Sequence, residues 1–203
     1  MLLRVATALA AIVLAASLAA CDDDDPPSPT PQPTGPAISA TPTPYPDTTT
    51  TGVAVVDAAI KAAIAGDANA LSAQAQFKSL ACVTTPAGPI PAPPQCLANQ
   101  PAGTLVEAIL IGTGESVYRQ ASELPEVWPN WLGVSRHVYA VKKLATSDEL
   151  TGAIYHIVFV RADGAGTTIQ VSADGIVWIG FDPSFNPRQQ AEGPAGTYIL
   201  PPK

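Results

Sequence analysis

Apolar positions fall into three regimes along the chain. The first is an unbroken run, Val5–Leu14, made almost entirely of Ala, Val, Leu and Ile. The second, residues 22–52, has almost nothing to bury. The third begins at Val53 and is periodic. Val53, Val56, Ile60, Ala63 and Ile64 recur at helical spacing, which predicts a helix with Thr51 as its N-cap and Gly66 as its stop. Asp67 is placed to cap a second helix through Leu71 and Ala75 to about Phe77. Beyond a loop between Cys82 and Cys96 the pattern becomes strand-like. Leu105–Ile111 and Ser116–Gln120 flank Gly112-Thr113-Gly114, a hairpin signal. Ser122–Trp128 fits a short helix capped by Ser122 and ended by Pro129. Four strands follow: His137–Leu144, Ala153–Arg161, Thr167–Ser172 and Ile176–Phe181. Their short connections demand antiparallel pairing. The stretch Ile154–Val160 is apolar on both faces and should be central, covered on both sides. Thr167–Ser172 alternates with Ile169 and Val171 inward, so its other face should meet solvent. Prolines 183, 187, 194, 201 and 202 predict an extended tail over residues 184–203. The expected fold class is α+β: an N-terminal helix pair packed on a mainly antiparallel sheet of about six strands, spanning residues 53–183.

The leading apolar run is too short for a comfortable transmembrane helix. With the single charge of Arg4 ahead of it, it has the layout of an export signal. It leads to Leu18-Ala19-Ala20-Cys21, which resembles the bacterial lipobox. That resemblance implies that residues 1–20 are a lipoprotein signal peptide. It also implies that Cys21 receives a diacylglycerol and, with further palmitate-class acylation, becomes the new N-terminus. The chain would then be held on the extracytoplasmic face of a bacterial membrane. One acyl chain anchors marginally, whereas two or three on one residue hold firmly. A plain secretory signal cut after Ala20 is the alternative. In enterobacterial lipoproteins an Asp directly after the Cys, as Asp22 is here, resembles an inner-membrane retention signal. Which membrane is left open.

Residues 21–52 read as a linker. Asp22–Asp25 precede Pro26-Pro27-Ser28-Pro29-Thr30-Pro31-Gln32-Pro33-Thr34, then Thr41-Pro42-Thr43-Pro44 and Thr48–Thr51. Such a segment prefers extended polyproline II, rising roughly 3.1 Å per residue. The net charge of the chain is −7, and the four linker aspartates carry much of it. No basic stripe is present, which argues against nucleic acid as a partner. The acidic balance argues equally against electrostatic docking on anionic lipid.

Once Cys21 is acylated, Cys82 and Cys96 are the remaining cysteines, and an exported chain meets an oxidising compartment. A Cys82–Cys96 disulfide is therefore expected. A metal pair is the competing reading, but no His lies nearby. The order helix, helix, strand, strand, short helix and four strands resembles the nuclear-transport-factor-2-like superfamily. Val56-Asp57-Ala58-Ala59-Ile60 through Ala65-Gly66-Asp67-Ala68 looks like that family's first helix pair. The resemblance implies a curved sheet wrapped around helices into a cone, with an Asp, His or Tyr inside the cone in its enzymes. The sheet here offers Tyr118, Tyr139, His156 and Trp178 as possible pocket residues. His156 reads either as a structural imidazole bonded to a carbonyl or Tyr hydroxyl, or as an acid/base. His137 should be exposed, and no cluster has metal-ligand spacing. Gly133-Val134-Ser135-Arg136-His137 departs from a nucleophile elbow at its fifth position. Trp128 and Trp131 fit core packing. No cofactor is implied. The expectation is a membrane-anchored, non-catalytic domain that binds a small apolar ligand or an envelope protein. An isomerase- or dehydratase-like pocket enzyme and a structural envelope protein are the alternatives.

Overall fold

A computed structural model describes residues 42–85, 90–113, 115–133, 136–181 and 186–203. The lipobox, Cys21 and most of the linker lie outside the described residues, as do Val134 and Ser135.

The domain opens with α1 (Ala54–Ala65) and α2 (Ala68–Ala73). Helix α1 starts two residues later than the Thr51 cap would place it, with Val53 at the N-cap. The reason is Asp57. Its carboxylate accepts from the Thr51 amide and hydroxyl, each at 2.7 Å, and from the Gly52 amide at 3.2 Å. Those residues are folded into an entry turn ahead of the helix. Gly66 stops α1 in the left-handed conformation at φ 67°, as glycine does at little steric cost. Asp67 caps α2 by accepting from the Ala70 amide at 2.9 Å. Helix α2 ends at Ala73, short of Phe77, because the chain leaves to bridge Ala75 to Ile176.

Strands β1 (Lys78–Ala81), β2 (Leu105–Thr113) and β3 (Glu115–Gln120) follow, then a 3₁₀ turn (Ala121–Glu123) and α3 (Leu124–Leu132). Gln120 and Glu123, rather than Ser122, form the capping box. Pro129 does not end α3 but sits inside it. An interior proline costs about 3 kcal/mol. Trp128, 1% exposed with its indole N–H donating to Ser72 Oγ at 2.9 Å, and Trp131 anchor the helix to the core on either side of that proline. Their burial offsets the loss.

Strands β4 (Arg136–Leu144), β5 (Tyr155–Arg161), β6 (Gly166–Val171) and β7 (Ile176–Phe181) form an antiparallel meander. The sheet has eight strands rather than about six, and it is mixed and open. Strand β7 lies parallel to β2, pairing Leu110 with Trp178 and Gly112 with Gly180. Strand β3 also pairs with Leu110–Gly112, so β3 and β7 occupy opposite edges of β2. The remaining two strands are β1 and one from the tail. Residues 186–203 are not simply extended. They supply α4 (Pro187–Glu192) and β8 (Gly196–Leu200), which pairs antiparallel with β4. Asn186 and Gln189 make a capping box, and Pro187 sits in the first turn, where its missing N–H costs nothing.

Two apolar clusters cover the two faces of the sheet. One, under α1–α3, includes Val56, Ile60, Leu71, Ile109, Ile157, Phe159, Ile169 and Ile179. The other, under α4, joins Tyr139, Ala140, Val158, Val160 and Ala191. Strand β5 is therefore buried on both sides. Strand β6 has no solvated face: Thr168, on the side opposite Ile169, is 3% exposed. Helix α4 returns from the tail to cover it.

The end of the linker is also part of the fold. The Tyr45 amide donates to the Val138 carbonyl at 2.8 Å, and the Tyr45 hydroxyl donates to the Pro201 carbonyl at 2.7 Å. Asp47 meets His137 Nδ1 at 2.7 Å on a half-exposed surface. Cys82 and Cys96 form a disulfide with Cα atoms 4.9 Å apart. The loop they close has some regular pairing: Val83 bridges Gln95, and Ala92 bridges Val117 on the free edge of β3.

Candidate functional site

Register partners across the sheet define a continuous row: Tyr118, Leu110, Trp178, Gln170, His156, Lys142 and Tyr198. Side chains directly opposite in register point to one face, here the α4 face. Two residues along, about 7 Å by strand geometry, runs a second row on the same face: Ser116, Gly112, Gly180, Thr168, Val158 and Ala140. The first row is bulky and the second is small, so the face carries a trough. Helix α4 roofs only one end of it.

The open part of the trough is a cleft of about 490 Å³ between the sheet and α4. Its lining includes Trp178, which lies over Gly112 and Gly180, together with His156 and Thr168 from the sheet and Gln189, Gln190 and Gly193 from the α4 side. Gly112 and Gly180 are required by Trp178. A Cβ on Gly112 would come within 2.7 Å of the indole Cζ2, and one on Gly180 would collide with the same ring. The indole thus lies across two paired glycines, a placement that no other residue type at these positions allows.

His156 is 5% exposed. Its Nε2 is 3.1 Å from the Gln190 carbonyl oxygen. A carbonyl only accepts, so Nε2 carries the proton and Nδ1 is the bare nitrogen. That Nδ1 is buried without a hydrogen-bond partner, as is Gln190 Oε1. Gln190 Nε2 donates to the Gly166 carbonyl at 3.2 Å. Burial pushes the imidazole pKa down to about 4, with the Gln190 carbonyl opposing the shift and the nearby Lys142 charge adding to it. The ring is therefore neutral at physiological pH. Lys142 is buried beside it, donating to the Pro194 carbonyl at 2.7 Å and lying 4.6 Å from the centre of the Tyr198 ring. Burial lowers its pKa.

The four residues expected to share a pocket all face α4, opposite α1–α3, but only two of them converge. His156 and Trp178 line the cleft. Tyr118 lines a smaller neighbouring depression of about 130 Å³ with Phe77, Leu110 and Leu150. Tyr139 is packed in the cluster under α4, and burial raises its pKa. Gln189, Gln190, Gly112 and Gly180 were not among the expected residues. Neither carboxylate nor ammonium nor guanidinium lines the cleft among the described residues.

Two guanidinium groups lie together on the opposite face. Arg136 and Arg161 are register partners at one end of β4 and β5. Arg136 donates to the Gly133 carbonyl at the end of α3 and abuts Gly66 at the end of α1. Arg161 pairs with Asp163 at 2.8 Å and lies 5.0 Å from the centre of the Phe181 ring. Two helix C-termini, each with partial negative charge, account for a guanidinium buried there. Burial, and then the neighbouring Arg161, lower the Arg136 pKa.

Comparison of the chain with protein-family models, with characterised proteins and with solved structures finds no match.

Proposed function

We propose that this chain is a lipid-tethered extracytoplasmic domain that holds a small, neutral, largely apolar molecule in the cleft between α4 and the sheet. The cleft carries the reading. Its volume falls within the usual range for small-molecule sites, roughly 300–1,000 Å³, and its lining is mainly apolar with a few amide and hydroxyl groups. Binding is favoured over catalysis. His156 has one nitrogen committed to Gln190 and the other shut off from solvent, and no carboxylate joins it in the cleft among the described residues. A pocket enzyme needs at least two polar groups converging on a reacting atom.

The tether rests on Leu18-Ala19-Ala20-Cys21 at the end of a short apolar leader. No described helix is long and apolar enough to cross a membrane. The linker after Cys21 would hold the domain away from the bilayer. Element order supports placing the domain with the nuclear-transport-factor-2-like folds as a curved, cone-like sheet. The additions of β1, α4 and β8 depart from the expected order.

Two experiments test the reading. Nile red, a neutral apolar dye, should bind the purified protein saturably at one site. Gly193→Phe should abolish that site, because Gly193 lines the cleft and a Cβ there meets only ordinary contacts at 3.6 Å or beyond, which leaves room for a bulky ring at its wall. Dye binding that is absent, or unchanged by Gly193→Phe, would count against the cleft. For the tether, Cys21→Ser should leave the leader uncut or release the protein from membranes. A processed, membrane-bound Cys21→Ser protein would exclude lipidation.

A further inference from the structure

Independently of the cleft and the tether, we propose that two copies of this chain pair through the outer edge of β8 into a two-fold dimer with one continuous sheet.

The outward groups of β8 follow from its bonds to β4. The Ala145 amide donates to the Ala195 carbonyl at 3.1 Å. Beyond that pair, Leu144 stands opposite Gly196, Lys143 opposite Thr197 and Lys142 opposite Tyr198. Bonded and open pairs alternate along an antiparallel ladder. Ala195 and Thr197 therefore turn their backbone groups toward β4, and Gly196 and Tyr198 turn theirs away from it. The Leu144 amide agrees, because it donates to the Ile154 carbonyl on the β5 side at 2.8 Å. No described residue bonds the backbone of Gly196 or Tyr198 on the outer side. Gly196 and Thr197 are exposed.

An unpaired edge is a template for another strand, and proteins blunt it with a charge, a proline, a bulge or a cover. The other edges are blunted. Ala92 covers β3, its carbonyl accepting from the Tyr118 amide and its amide donating to the Ser116 carbonyl, each at 3.0 Å. Strand β1 has four residues and carries Lys78. Strand β8, Gly196-Thr197-Tyr198-Ile199-Leu200, has no charge and no proline, and its one irregularity falls beyond Tyr198.

Symmetry identifies the occupant. The outward groups sit two residues apart, so an antiparallel second copy meets them in a single register. Gly196 faces Tyr198 of the second copy, Tyr198 faces its Gly196, and the two Thr197 residues meet across the axis. Each Gly196–Tyr198 pair exchanges two backbone hydrogen bonds, which leaves no outward group of these residues unmet. Pro194 before the strand, and Pro201 and Pro202 after it, confine the pairing to β8. With β3 covered, the assembly closes at two copies. Charge does not oppose it. The row across the axis runs Lys143, Thr197, Thr197, Lys143, which separates the two lysines by three strand spacings, roughly 14 Å.

The test uses the full chain purified in detergent. Under mild oxidation Thr197→Cys should form a covalent dimer at least about ten-fold faster than Lys61→Cys, because facing residues meet at an effective concentration far above the bulk one. Lys61 is an exposed position on α1 and serves as the control. Sedimentation equilibrium in density-matched detergent should give a dimer for the unsubstituted chain. Thr197→Lys sets like charges directly opposite each other and should weaken the dimer at least about five-fold. Its far-ultraviolet circular dichroism should stay native, and the cross-linking rates decide if it does not. A monomeric unsubstituted chain, a dimer equally tight in a folded Thr197→Lys, or cross-linking no faster at residue 197 than at residue 61 would overturn the proposal. So would Thr197→Cys joining a different protein in the native envelope in place of a second copy.

Discussion

The buried imidazole makes a quantitative demand on acid stability. His156 has a folded pKa of about 4, against an ordinary value of 6.5 in the unfolded chain. The unfolded chain therefore binds a proton at a pH where the folded chain does not. Stability from this group is fully present above the unfolded pKa and is lost as pH falls from 6.5 toward 4. Below 4 the loss is complete. Linkage between these two values gives a loss of about 2.5 kcal/mol between pH 7 and pH 4.5. The total over the whole window is about 3 kcal/mol. That is a large share of the stability of an ordinary domain, roughly 5–15 kcal/mol. A raw pH profile sums over the whole chain and does not isolate His156. The isolating quantity is a difference. Urea unfolding followed by fluorescence at pH 7 and pH 4.5, for the unsubstituted protein and for His156→Leu, gives four free energies. His156→Leu loses the bond to the Gln190 carbonyl and is expected to be less stable at pH 7. Its further loss on going to pH 4.5 should be smaller than that of the unsubstituted protein by about 2.5 kcal/mol. Parallel acid losses in the unsubstituted protein and His156→Leu would refute a neutral buried His156.

Other consequences are equally direct. Replacing Cys82 and Cys96 by serine removes a cross-link between residues 14 apart in sequence, and should lower stability by about 3 kcal/mol in the chain-entropy model; reductant should do the same to the unsubstituted protein and nothing to the variant. Gly180→Ala forces the Trp178 ring off its floor, so it should shift Trp fluorescence and weaken Nile red binding while leaving the far-ultraviolet circular dichroism near native. Truncation after Asp182 removes α4 and β8 and exposes Val158, Val160 and Tyr139, so the shortened protein should bind apolar dye non-saturably and lose cooperative unfolding; a cooperatively folded truncation would show that the tail is dispensable.

Much of the meander was legible because its connections are short. A chain that reverses within a few residues has only antiparallel pairing open to it, and Ala173-Asp174-Gly175 and Asp163-Gly164-Ala165-Gly166 leave no room for anything else. The burial of His156 was legible too, since a lone polar residue between Tyr155 and Ile157–Val160 has nowhere wet to go. The pairing of β2 with β7 was not legible. It joins segments some seventy positions apart, and no local pattern encodes such a contact. The fold of the tail is hidden for a different reason. Its prolines suggested extended chain, yet Asn186-Pro187-Arg188-Gln189 is a helix start, with the cap, the first-turn proline and the capping-box partner in order. Reading that signature would have supplied α4. With it would have come Gln189 and Gln190 as one side of the cleft. The glycine floor left a fainter trace: Trp178-Ile179-Gly180 puts a large and an empty position on the same face of one strand, and Gly112 answers it from β2. Pro129 shows the opposite error, a strong local breaker overruled by two buried indoles.

Native mass spectrometry of the protein purified in detergent from its own envelope tests the tether and the occupied cleft at once. The expected species is a polypeptide beginning at residue 21 with covalent acyl mass, plus a small non-covalent adduct that is missing from Gly193→Phe. A chain that carries neither, or an adduct indifferent to Gly193→Phe, would contradict that expectation.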